Sequence, residues 1–238
     1  MNIITIDNVC KNYKSKMALR NVSLEIKKGE LFGLLGVNGA GKTTLIKILC
    51  GLTKKDSGSV VINDFDLDKE VHKIKQIVDI SPQETSVANN LTVKENLTFF
   101  ANIYNYDVDV INEAVEIFDL QEVLNQKAKT LSGGYKRRLS IAIALVSKPK
   151  ILFLDEPTLG LDVFARRELW NIIKKLREKI TIILTSHYLE EIEALCDRVA
   201  ILSCGKLLHT GTVAQIKEIT GSQNFEDAFI KFVEAENE

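Results

Sequence analysis

Gly36-Val37-Asn38-Gly39-Ala40-Gly41-Lys42-Thr43 follows the pattern GxxxxGK[ST]. Residues of these types at this spacing can cradle phosphate. Glycine lets backbone N–H groups converge on phosphate oxygens with no side chain between them. A helix starting at the loop adds partial positive charge where the phosphates would sit. Lys42 can then reach the β- and γ-phosphates, and the Thr43 hydroxyl can hold Mg²⁺. A chance glycine-rich turn would not need the flanking pattern found here. The short apolar stretch from Glu30 to Leu35 reads as a buried strand, and Thr44 to Leu49 carries apolar residues at helical spacing.

Acidic chemistry gathers in Ile151-Leu152-Phe153-Leu154-Asp155-Glu156-Pro157. Its apolar residues predict a buried strand of the parallel type, closed by two carboxylates. Open α/β sheets bind ligands at that end of a strand. Asp155 suits a metal-holding role, and Glu156 can orient or deprotonate a water. Leu131-Ser132-Gly133-Gly134-Tyr135 opens an apolar helix that runs over Leu139 to Val146. Ser132 is its expected cap, and the glycines expose N–H groups at a second anion-binding helix start. Two adjacent glycines cost chain entropy, which favours phosphate binding over a plain capped turn. Three further residues have two readings each. Tyr13 can stack on a base or be ordinary amphipathic surface. Gln83, at the end of the short strand-and-turn stretch Val78 to Gln83, can face a metal or an attacking water, or simply turn the chain. His187, at the end of the apolar run from Ile180, can touch a γ-phosphate or be structural.

The elements that must position these residues are also legible. Ile3 to Val9 and Gly58 to Asn63 are rich in β-branched residues, and Asn21 to Ile26 alternates apolar and polar. With turns at Lys27-Lys28-Gly29-Glu30 and Asp64-Phe65-Asp66, they predict a small, mainly antiparallel sheet. Tyr13 would lie between its first two strands. From Thr92 the period becomes helical. Val93, Asn96, Leu97, Phe100, Ala101 and Tyr104 share a face behind a Thr92–Glu95 cap. Asn112 to Phe118 predicts a second helix, with Val115, Phe118 and Leu120 as core residues. Arg198 to His209 reads as a hairpin around Cys204-Gly205, and helices are expected from Thr212 and from Phe225. The last residues are acidic and expected to fray.

Bulk properties exclude several classes. A formal net charge of −1 leaves no basic footprint for nucleic acid. No apolar run approaches the roughly 20 residues of a membrane span. Met1 to Asp7 lacks the basic start of a signal peptide, so none is expected. Cys10, Cys50, Cys196 and Cys204 form no CxxC pair, which points to reduced thiols in a cytosolic protein. With three prolines and no linker, the 238 residues predict one domain with subdomains.

Taken in order, the loop at Gly36, the Gln83 strand end, Leu131-Ser132-Gly133-Gly134, the strand ending Asp155-Glu156 and His187 resemble the ATP-binding subunit of ABC (ATP-binding cassette) transporters. The resemblance spans about residues 3–211. It implies an α/β fold: a P-loop NTPase core with a parallel sheet, a flanking antiparallel β subdomain and an inserted α-helical subdomain. The whole chain, residues 1–238, would be a single ATP-binding domain, with the helical subdomain at about 84–146 and a helical tail at about 212–238. By resemblance Tyr13 stacks on adenine, and Gly36, Asn38, Gly39, Ala40, Gly41, Lys42, Thr43 and Thr44 hold the phosphates of ATP. Ser132, Gly133 and Gly134 form the signature motif and Asp162 belongs to the D-loop. Thr43, Gln83 and Asp155 would serve Mg²⁺. Glu156 would be the catalytic carboxylate, with His187, Gln83 and Lys42 assisting. Tyr135 departs from the glutamine many members carry there; the serine and glycines still imply nucleotide binding.

The segments around Ser81 to Glu84, Leu91 to Leu97, Ala101 to Tyr104 and Glu156 to Asp162 look like the type-two exporters of drugs, antibiotics and polysaccharides. Glu226 to Phe229 is similar to a tail common in that group. The resemblance implies a head-to-tail dimer, in which the P-loop of one copy meets the Ser132 edge of the other. It also implies a separate membrane permease docked on the helical segment, and a place on the cytoplasmic face of the membrane. A soluble assembly scaffold with the same ATPase is the competing class. A translation or DNA-repair member is disfavoured by the charge and by the single cassette.

Overall fold

The computed structural model describes residues 1–14 and 16–235. The expected fraying falls on residues 236–238, outside the described residues. The chain forms two compact units, one of Met1–Lys75 with Thr181–Glu238 and one of Gln76–Ile180. The first unit begins with β1 (Asn2–Tyr13), β2 (Lys16–Lys27), β3 (Leu31–Leu35), α1 (Lys42–Leu49), β4 (Ser57–Ile62), β5 (Phe65–Asp66) and α2 (Val71–Lys75). The second unit holds β6 (Val78–Ser81), α3 (Val93–Ile103), α4 (Val108–Ile117), α5 (Gly133–Val146), β7 (Ile151–Asp155) and α6 (Val163–Leu176). The chain returns to the first unit with β8 (Thr181–Ser186), α7 (Leu189–Leu195), β9 (Arg198–Ser203), β10 (Lys206–Gly211), α8 (Val213–Thr220) and α9 (Phe225–Ala235).

In the first unit β2, β1, β4 and β5 form an antiparallel sheet in that order. One face of β2 buries Val22, Leu24 and Ile26 while the residues between them meet water, the alternation of a sheet with one wet side. The other strands of this unit run in the order β10, β9, β3, β8. β3 pairs in parallel with β8 and with β9. β3 and β8 are buried along their whole length, as expected of continuous apolar runs covered on both faces. β9 and β10 form the expected hairpin. Cys204 and Gly205 both take positive φ, 48° and 80°, as a two-residue turn of this hand requires. Burial, with the Glu191, Asp197 and Glu30 carboxylates nearby, pushes the Cys196 thiol well above its ordinary value and keeps it protonated.

In the second unit β6 and β7 pair in parallel. Thr92 caps α3 by accepting from Glu95 N, and the Glu95 carboxylate in turn accepts from Thr92 N, a complete capping box. Asn96 is fully buried. Its amide accepts from Ala88 N at 2.8 Å and donates to Thr92 O at 2.9 Å, so it fastens the chain entering α3. Val115, Phe118 and Leu120 are core residues, as expected.

Three details differ from the expected elements. Tyr13 is the last residue of β1 and not a linker, because β1 and β2 stay paired through Tyr13↔Lys16 with an irregular register. Phe65–Asp66 is a strand, and the turn lies one step earlier at Asn63 and Asp64, where φ is 47° and 68°. Tyr104 is the exposed C-cap of α3, so the apolar face thins out there.

Candidate functional site

The phosphate-type loop leaves the C-terminal end of β3 and runs into α1. Its glycines are fixed by what surrounds them. A Cβ on Gly36 would collide with the Leu202 carbonyl of β9. Gly41 has φ 109°, and a Cβ there would stand 2.7 Å from the Ala18 carbonyl oxygen of β2. Ala40 is buried, and its carbonyl accepts from Gly205 N at 3.1 Å, while Gly205 O accepts from Arg20 N at 2.7 Å. β2 and the hairpin turn therefore brace the loop from behind. Its tip, Val37-Asn38-Gly39, is exposed.

Lys42 is the first residue of α1 and is buried. Its ammonium donates to Gly36 O at 2.5 Å. No side chain caps α1, and its first turn carries no acid. Thr43 and Thr44 are half-buried in that turn. A helix start with uncapped amides, a lysine and no carboxylate is a place for an anion. Leu35 pairs with Ser186 in the parallel β3–β8 ladder, so the loop and His187 leave neighbouring strand ends. His187 is exposed, with its ring centroid 4.1 Å from that of Tyr188. Tyr13 is exposed as well. Its cross-strand partner Lys16 reaches the loop: a Cβ on Gly39 would lie 3.6 Å from Lys16 Nζ. Sequence reasoning passed over Lys16, which reads as an ordinary surface lysine.

In the second unit Ser81 pairs with Leu154, so Gln83 and the Asp155-Glu156 pair also follow neighbouring parallel strand ends. Asp155 and Glu156 are buried, while the Gln83 side chain is exposed. Glu156 has φ 51°, a left-handed conformation that costs a non-glycine residue about 1–2 kcal/mol. Such strain often marks a functional position. Ser132 caps α5, accepting from Tyr135 N at 3.4 Å, and Gly133 and Gly134 are its first two residues. A Cβ on Gly134 would meet Ala165 Cβ at 3.1 Å, which brings this helix start close to the start of α6. Asp162 caps α6, its Oδ1 accepting from Phe164 N at 2.9 Å and Ala165 N at 3.0 Å.

The residue that sequence reasoning missed here is Arg137. It is buried in α5 and binds main-chain carbonyls with all three nitrogens. Nε donates to Pro157 O at 2.7 Å. Nη1 donates to Pro82 O at 2.6 Å and Gln83 O at 3.2 Å. Nη2 donates to Asp155 O at 2.8 Å and Glu156 O at 2.5 Å.

A magnesium nucleotide fits this donor set. Among the described residues no cluster of three or more His, Cys, Asp or Glu could hold a metal alone. Thr43 in the first unit and Asp155 in the second each offer the hard oxygen that suits a cation arriving already bound to phosphates and water.

A strand–loop–helix phosphate cradle and, in the other unit, an acid-closed parallel strand are the features of a P-loop nucleotidase. The model of the family described as "ABC transporter" matches residues 19–159, more than half of the chain. The linearmycin resistance ATP-binding protein LnrL of Bacillus subtilis (strain 168) is 40% identical over 215 residues, covering 88% of this chain and 69% of LnrL. The probable multidrug ABC transporter ATP-binding protein YbhF of Escherichia coli (strain K12) is 36% identical and covers 97% of this chain, which spans only 42% of YbhF. Among solved structures, an ATP-binding subunit of an ABC transporter superposes with TM-score 0.86 at 26% identity, covering 97% of this chain and 99% of that one. The ATP-binding cassette MJ0796, a dimer in a post-hydrolysis state bound to ADP and Pi, gives 0.79 at 28% identity, covering 88% and 98%. CbiO1 from Clostridium perfringens, part of the ABC transporter complex cbiONQ, gives 0.83 at 27% identity, covering 92% and 91%. The chain belongs to the ABC transporter family: it is an ATP-binding subunit and an ATPase.

Proposed function

We propose that this subunit drives an exporter of drug-like, lipid-like or polysaccharide substrates from the cytoplasmic face of the membrane, as a head-to-tail dimer joined to a separate permease. The observation that carries the nucleotide site is the uncapped, acid-free start of α1 with Lys42 at its first position. Lys42 and the loop amides of Gly36 to Thr44 grip the phosphates of ATP, and Tyr13 stacks on adenine. Thr43, Gln83 and Asp155 hold Mg²⁺, which neutralises phosphate charge when bound. Glu156 takes the proton of the attacking water, and Gln83 and His187 orient the water and the terminal phosphate. Ser132, Gly133 and Gly134, with Asp162, meet the nucleotide of a second copy. Loss of the γ-phosphate removes the contact that favours the closed dimer.

The names of LnrL and YbhF support the exporter reading, MJ0796 supports the dimer, and CbiO1 supports a membrane complex. Phe99, Ile103, Tyr104 and Val108 are large apolar side chains exposed on α3 and at the start of α4, which suits docking of the permease there.

The test is Glu156→Gln. The variant should bind Mg-ATP like the wild type, lose turnover, and run as a dimer in size-exclusion chromatography with ATP. A variant that binds ATP, stays monomeric and keeps its turnover refutes the assignment.

A further inference from the structure

β6 and β7 stop at Ser81 and Asp155, and the chain beyond them carries Gln83 and Glu156. The carbonyls of Pro82, Gln83, Glu156 and Pro157 lie past the strand ends. Carbonyls withdrawn from water need partners, and Arg137 serves both segments at once, through buried bonds to Asp155, Glu156 and Pro157 and part-buried ones to Pro82 and Gln83. Only guanidinium offers five donors in a rigid planar fork. The same fork holds the carbonyls on either side of the left-handed turn at Glu156.

We propose that Arg137 is a positioning residue for hydrolysis. It locks the Gln83 segment to the Glu156 turn and so sets where the Glu156 carboxylate stands. It acts through these backbones rather than on the nucleotide. The inference rests on the proposed role of Glu156. Lysine keeps the charge and the stem but has a single nitrogen, which cannot span carbonyls from Pro82 to Pro157. A carboxylate displaced by about 1 Å loses roughly a hundredfold in rate.

The experiment is a double-mutant cycle in single-turnover ATP hydrolysis, with Kd for Mg-ATP measured in parallel. Arg137→Lys should lower the rate roughly 10- to 100-fold with Kd within about twofold of wild type. In the Glu156→Gln background, Arg137→Lys should cause no further loss, because the carboxylate it positions is gone. Arg137→Gln serves as the second variant, and far-UV circular dichroism reports whether each folds. Three results overturn the proposal alone: an Arg137→Lys enzyme with unchanged rate, a loss as large in the Glu156→Gln background, or a loss carried by Kd. Failure of both variants to fold makes Arg137 purely structural and also overturns it. Full turnover by Glu156→Gln overturns the role of Glu156, and the proposal with it.

Discussion

Gly41→Ala tests whether the phosphate loop is held by its surroundings as the structure implies. Two costs add. At φ 109° an alanine pays for a backbone conformation that L-residues avoid, about 1–2 kcal/mol. Its methyl would stand 2.7 Å from the Ala18 carbonyl oxygen and 2.9 Å from Leu19 Cδ2, and β2 must shift to admit it. Overpacking of this kind costs about 1–3 kcal/mol. The sum of about 2–5 kcal/mol is a large share of an ordinary domain's stability. At about 2–4 °C per kcal/mol for a chain of this size, the melting temperature should fall by about 4–20 °C. Gly39→Ala separates the two costs. Gly39 also has positive φ, 82°, but its nearest neighbour is the flexible Lys16 Nζ at 3.6 Å. Only the conformational cost applies, so its melting temperature should fall by about 2–8 °C. Circular dichroism melts and titration with a fluorescent ATP analogue read both effects. Gly41→Ala should also weaken nucleotide binding about tenfold or more, because its methyl moves the loop. A Gly41→Ala protein that melts no lower than Gly39→Ala and binds ATP like the wild type refutes the reasoning.

Lys42→Ala should weaken ATP binding itself, since it removes the buried ammonium from the loop; isothermal titration showing unchanged affinity would sink that role. Thr92→Ala removes the α3 cap and should cost about 1 kcal/mol, a fall of about 2–4 °C in melting temperature, while Thr92→Ser should lose little. Burial raises the Asp79 carboxyl above its ordinary value despite hydrogen bonds from Ser147, Ile80 N and Tyr104. The folded state therefore holds this proton more tightly than the unfolded chain, and stability from Asp79 is lost as pH rises from the unfolded value through the raised one. Asp79→Asn should abolish that slope, so its melting temperature relative to wild type should climb between acidic and neutral pH; a constant difference would refute the assignment.

The fold was legible wherever local pattern and tertiary environment agree. Leu31 to Leu35, Ile151 to Leu154 and Ile182 to Leu184 read as buried strands because both faces of each are covered. Thr92–Glu95 announced a helix start because a capping box is complete within four residues. What was not legible depends on distant partners. β1 runs on to Tyr13 because β2 continues to pair with it, although Lys11-Asn12-Tyr13 has no strand alternation of its own. Tyr104 has the right spacing for the α3 face, but the helix ends there and the ring meets water.

The candidate site divides in the same way. Lys42, Ser132, Asp155 and Glu156 could be picked out because spacing and residue type carry their chemistry. The parts that fix their geometry left a weaker trace. Arg137 looks like one of three consecutive basic residues on a solvated helix start, Lys136-Arg137-Arg138. Its burial follows from a tertiary arrangement, in which β6 and β7 end side by side and the carbonyls of the chain around their ends accept from its guanidinium. One local signal was present. The helix that holds it is apolar from Leu139 to Val146 except at Ser140, and such a helix leaves few positions for a solvated charge. Arg138, at the next position, is also buried, but its partners Glu168 and Asp119 are exposed carboxylates. Arg137 instead finds its partners inside. In this chain the partners are the carbonyls that shape the turn at Glu156.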